Sequence, residues 1–74
     1  MEYLAEKDVW CVKTPMPMTV HGFCCRKAGV IYMFINSQLS PKAEEEAIEH
    51  EFEHIDNGDL YSEEEAAEIE RKLK

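Results

Sequence analysis

Long hydrophobic runs are missing from this chain. The longest is Val30 to Ile35, far too short to span a bilayer, so no membrane span is expected. The N-terminus, Met1-Glu2-Tyr3-Leu4-Ala5-Glu6-Lys7, has no basic stretch followed by apolar residues, and no signal peptide is expected. Cysteine is scarce. There are three, Cys11, Cys24 and Cys25, an odd number with two adjacent and no C-x-x-C, which makes a poor disulfide framework and points to buried, reduced strand residues. Basic residues are also few, 8 Lys and Arg against 16 Asp and Glu. Residues 1–40 carry four basic and three acidic groups, net +1, whereas residues 41–74 carry four basic and thirteen acidic, net −9. Such an acidic half repels phosphate backbones, so direct nucleic-acid binding is not expected.

What is present reads as one small domain over residues 1–74. Before Ser40, β-branched and aromatic residues come in short runs. Asp8 to Lys13 reads as a first strand and Thr19 to Arg26 as a second, separated by an extended link holding Pro15 and Pro17. Val30 to Ile35 reads as a third strand. It pairs with the second through a Lys27-Ala28-Gly29 turn in which Gly29 supplies a positive φ. After Ser40 the pattern turns helical. Ser40 is an N-cap, Pro41 suits the first turn, Glu44 to Glu46 follow, and Gly58 stops the helix after Asn57. Ser62 and Glu65 form a capping-box signature for a second helix running to the C-terminus. The expected fold is α+β, a small antiparallel sheet of about three strands followed by two helices.

The chemistry concentrates at His50-Glu51-Phe52-Glu53-His54, an H-E-x-x-H. Shuffling this composition yields only about 0.02 such matches per chain. With Ile48 set to zero and about 100° per residue, Phe52 and Ile55 lie within about 40° and Ala47 at about −100°, forming the core stripe. On the same wheel Glu46, Glu49 and Glu53 lie opposite; Glu51 falls at about −60°, His54 at about −120° and His50 at about −160°. Both histidines share one side, and Glu51 lies in the half-buried sector. A solvated glutamate run gives no reason for that inward position, whereas a zinc site does. Two imidazoles at i and i+4 hold one ion, which lowers the pKa of a bound water to about 7, and the intervening glutamate takes the proton as general base. A third ligand is needed. On the second helix, Glu63 and Glu70 share a face beside the apolar stripe, and helical phase does not choose between them.

Asp56 and Asp59 are close enough in sequence to orient a ligand histidine, with capping or loop hydrogen bonds the plainer role for both. Tyr61 is placed to stabilise an oxyanion, with packing at the loop-to-helix junction the plainer role. His21, between Val20 and Gly22, reads as a partly buried structural histidine.

Three stretches together resemble the ImmA/IrrE family of bacterial and phage metallopeptidases, in its minimal form. Phe34-Ile35-Asn36-Ser37-Gln38-Leu39-Ser40 is similar to the family's I-N-S-x-L-S segment. His50-Glu51-Phe52-Glu53-His54-Ile55-Asp56-Asn57-Gly58-Asp59 is similar to H-E-L-x-H-I-x-N-x-D, and Ile69-Glu70-Arg71-Lys72 to the start of I-E-R-E-A-N. Thr19 to Phe23 also looks like the strand before the family's hairpin, so the likeness runs over residues 8–74. The resemblance implies a zincin-like fold and a zinc-dependent endopeptidase, with His50, His54 and Glu70 as metal ligands and Glu51 as general base. It further implies a cytoplasmic protein of a phage or mobile element and a protein or peptide substrate of the repressor type. A non-catalytic module of the same fold, stabilised by zinc and binding such a partner without cutting it, is the second expectation.

Overall fold

The computed structural model describes residues 1–73, excluding the side chains of Glu63, Glu64, Glu70 and Leu73. It contains β1 (Glu2–Leu4), β2 (Val9–Thr14), β3 (Gly22–Lys27), β4 (Val30–Asn36), α1 (Pro41–Asn57) and α2 (Glu63–Leu73). No helix among the described residues is long and apolar enough to cross a membrane.

The fold is α+β, but the sheet differs from the one expected. It has four strands in the order β1-β2-β4-β3, and it is mixed rather than antiparallel. β1 and β2 are antiparallel, β3 and β4 are antiparallel, and β2 runs parallel to β4 from Val9↔Ile31 to Thr14↔Asn36. β1 has three residues, too few to show an alternating pattern, and it forms by pairing with β2, Tyr3 opposite Trp10 and Leu4 opposite Val9. The parallel pairing follows from the proline-bearing link after β2. That link carries the chain away from a hairpin turn, so that β4, not β3, returns beside β2. The strand expected from Thr19 begins only at Gly22, because Val20 N–H bonds to Pro17 C=O at 2.9 Å in a turn. Gly22 is required by the register. A Cβ there would stand 2.6 Å from the Phe34 carbonyl oxygen.

The hairpin between β3 and β4 turns on Ala28 and Gly29, with φ of 51° and 79°. Two positive values match the right-handed strand twist, although the first falls on an alanine, where it is strained.

Strand alternation sends neighbouring cysteines to opposite faces. Cys24 joins Val9, Cys11, Met33 and Ile35 beneath α1, where Ala47, Ile48, Phe52 and Ile55 pack on the sheet. Cys25 joins Met16, Phe23 and Ala66 on the other face, under α2. All three thiols are free and buried, as their odd number and the absence of C-x-x-C implied. Both helix starts are capped as read. Ser40 Oγ accepts from Ala43 N–H at 3.2 Å, and Ser62 and Glu65 exchange side-chain bonds to each other's backbone N–H at 3.3 and 3.2 Å. α1 ends at Gly58 with φ 76° in the left-handed region, and Asp59 N–H bonds back to His54 C=O at 2.8 Å.

One buried polar side chain ties the proline link to the sheet. Asn36 is fully buried. Its Oδ1 accepts from the N–H groups of Met16 and Gln38 at 3.2 and 3.0 Å, and its Nδ2 donates to the carbonyls of Met16, Pro17 and Val20 at 3.1, 3.2 and 2.9 Å.

Candidate metal centre

α1 carries the three H-E-x-x-H residues on consecutive turns, and its packing settles where each points. Ala47, Ile48, Phe52 and Ile55 face the sheet, which rotates Glu51 inward to 6% exposure, the only buried charged side chain among the described residues. The inward position read from helical phase is therefore present. His50 and His54 stand one turn apart on the flank of that stripe, with rings at 87° and centroids 4.6 Å apart. Their Nε2 atoms approach to 3.1 Å. Together with a Glu51 carboxylate oxygen, the donor atoms lie within 4.8 Å of one another, so the group could hold a metal ion.

The fit can be tested on that separation. Two nitrogens each about 2.0–2.1 Å from one tetrahedral ion stand about 3.3–3.4 Å apart. The observed distance is within a few tenths of an ångström, so small rotations of the two rings bring both onto a common ion. The third-ligand candidates Glu70 and Glu63 have side chains outside the described residues.

Behind Glu51 lies Cys24 of β3, whose Sγ is 3.9 Å from the Glu51 carbonyl oxygen. Burial pushes the Cys24 thiol well above its usual pKa, and the neighbouring Glu51 charge and hydrogen bond push the same way. The thiol therefore stays protonated and acts as a weak donor behind the carboxylate.

The two aspartates separate clearly. Asp59 Oδ2 is 3.8 Å from His54 Nδ1, the nitrogen turned away from His50. That is too long for a direct hydrogen bond but within reach of a bridging water. Asp56 is drawn off by Lys7, whose Nζ donates to both its carboxylate oxygens at 2.9 Å. Tyr61 packs edge-on against Phe23 at 6.3 Å, and its backbone N–H and C=O pair with Cys24 C=O and Arg26 N–H, both at 3.1 Å. Its ring is nonetheless exposed and borders the site. His21 is exposed rather than partly buried, because it precedes β3 in coil and only its backbone is held, through a 2.9 Å bond from Asn36 N–H.

His50, Glu51 and His54 open into a cavity of about 650 Å³ between α1, the edge of β3 and the loop from Gly58 to Tyr61. Thr19 and Glu65, which sequence reasoning did not single out as site residues, also line it. Their signal is tertiary, since the Asn36-held link brings Thr19 to the cavity and the α2 cap brings Glu65. Compared with known proteins, the chain matches no family model, no curated protein and no solved structure.

Proposed function

We propose that this chain is a zinc-dependent endopeptidase of the ImmA/IrrE type, acting in the cytoplasm on a repressor-like protein of a phage or mobile element. The observation that carries the reading is the convergence of His50 and His54 Nε2 at 3.1 Å beside the buried Glu51 carboxyl, all opening to one cavity. In this reading His50 and His54 would hold the ion, and Glu70 would supply the third ligand, as the resemblance implies. Bound zinc supplies Lewis acidity and an activated water for attack on a peptide carbonyl. The Glu51 carboxylate, buried beside the histidine pair, would serve as the general base and hold the proton until the leaving amine takes it.

The strand edge supports a peptide substrate. Cys24 C=O and Arg26 N–H point outward from β3 to meet Tyr61, and Gly22 lies in the same phase two residues earlier. Its N–H and C=O therefore face the cavity side of the edge, beyond the stretch that Tyr61 covers. An extended peptide could add to the sheet there, within reach of the histidine pair.

The test is elemental analysis of untagged protein purified without chelator, followed by peptidase assays. Wild type should hold about one zinc per chain and His50→Ala none. Glu51→Gln should keep the zinc and lose cleavage. Absence of zinc in the wild type, and of binding on titration, would reduce the 3.1 Å contact to an imidazole–imidazole hydrogen bond. Zinc bound without any cleavage of repressor-type substrates would favour the non-catalytic module.

A further inference from the structure

The walls of the metal-site cavity differ in charge. One wall is the link and the edge of β3, with Thr19, His21 and Gly22. The other is the loop after α1 and the start of α2, with Asp59 and Glu65. Among the described residues no Lys or Arg lines the cavity. The acidic wall has no cation of its own to supply, since residues 58–70 hold six carboxylates and neither Lys nor Arg. Elsewhere the fold does neutralise its acids, pairing Lys7 with Asp56 and Lys13 with Glu44.

Glu65 is held in place and keeps one oxygen free. Its Oε1 accepts from Ser62 N–H at 3.2 Å, and Ser62 Oγ accepts from Glu65 N–H at 3.3 Å. This capping box fixes the carboxylate at the head of α2. Its Oε2 has no partner among the described residues. Asp59 is placed by its N–H bond to His54 C=O at 2.8 Å, and its one charged neighbour among the described residues is His54 Nδ1 at 3.8 Å. In the metal reading Glu51 and Glu70 would offset a divalent ion, which leaves Asp59 and Glu65 uncompensated.

An acidic wall alone is a solvated surface. This one shares a cavity with the open edge at Gly22 and with the buried Glu51 carboxyl. A peptide extended along that edge sends every second side chain to the cavity side. We propose that Glu65 is a specificity-determining residue, whose free oxygen, backed by the charge of Asp59, selects a peptide bearing lysine or arginine beside the strand edge. The inference rests on the endopeptidase reading for the place of the peptide, and goes beyond it in naming the chemistry of the substrate.

The probe is a dye-labelled peptide of about ten residues, alternating threonine and valine around a central arginine. It is compared with the same peptide carrying citrulline, which keeps the shape and loses the charge. Binding is read by fluorescence anisotropy at neutral pH on Glu51→Gln protein, which would leave the peptides uncut. The arginine peptide should bind about fivefold more tightly, as for an exposed ion pair, and the difference should shrink with added salt. Adding Glu65→Gln keeps a capping oxygen, so this variant should melt like its parent, bind the citrulline peptide equally and lose most of the arginine preference. Equal affinity for the two peptides, or a preference that survives Glu65→Gln, would overturn the inference and leave the endopeptidase reading standing. No binding of either peptide would overturn both the place of the peptide and this inference. An arginine preference lost in Glu65→Gln would support it even where zinc and cleavage are absent.

Discussion

Asn36→Ala should remove a large share of the stability of this domain. The side chain makes five hydrogen bonds, two to the backbone of Met16 in fully buried surroundings and three to Gln38, Pro17 and Val20 where water has partial access. Each backbone group left dry and unpaired costs about 1–3 kcal/mol, and the partly wetted ones cost less. The sum comes to about 3–5 kcal/mol, against about 4–11 kcal/mol for a whole domain of this length. Urea unfolding followed by Trp10 fluorescence and far-UV circular dichroism measures it directly. Asn36→Asp is the sharper perturbation. It preserves shape and the acceptor oxygen but removes the amide donor to three carbonyls, so at neutral pH it should be destabilising to a similar degree. The link from Pro15 to His21 should become protease-sensitive in both variants, and the cavity wall at Thr19 would loosen with it. A loss below about 1 kcal/mol, or an Asp variant as stable as wild type, would refute the network as the anchor of that link.

Two further outcomes follow from the site and its surroundings. Asp59→Asn should lower zinc affinity about tenfold in a chelator competition, since Asp59 faces the outer nitrogen of His54, while the metal-free protein keeps its stability. Stability should also fall as pH rises above about 9. Burial raises the Cys11 and Cys24 thiols above their usual 9.0, so the unfolded chain releases protons that the folded chain retains. The contribution is complete below that value and declines above it, by at most about 1.4 kcal/mol per pH unit for each thiol and only until that thiol's raised folded pKa is passed. Urea midpoints at pH 8 and pH 10 should show a smaller drop for Cys24→Ala than for wild type, and equal drops would count against the buried-thiol account.

The helical half of the protein was legible because its determinants are local. Ser40, Pro41 and Gly58 bound α1 at the residues read from sequence, and the Ser62 and Glu65 pair starts α2, because caps satisfy backbone groups within a turn. Phase along α1 also placed Glu51 inward and both histidines on one flank, since a rigid 3.6-residue period carries side chains with it. The sheet was less legible, because strand partners are chosen across the whole chain. β1, the parallel pairing of β2 with β4 and the late start of β3 depend on hydrogen bonds between residues far apart in sequence. The same holds for the walls of the site. Asp59 and Asp56 look equivalent in sequence, and only the fold gives Lys7 to one and His54 to the other. The grouping of His50, Glu51 and His54 was thus determined by α1 alone. The cavity in front of them, the open edge of β3 and the acidic wall that shares that cavity were decided by tertiary packing, because each exists only where separate elements meet or fail to cover one another.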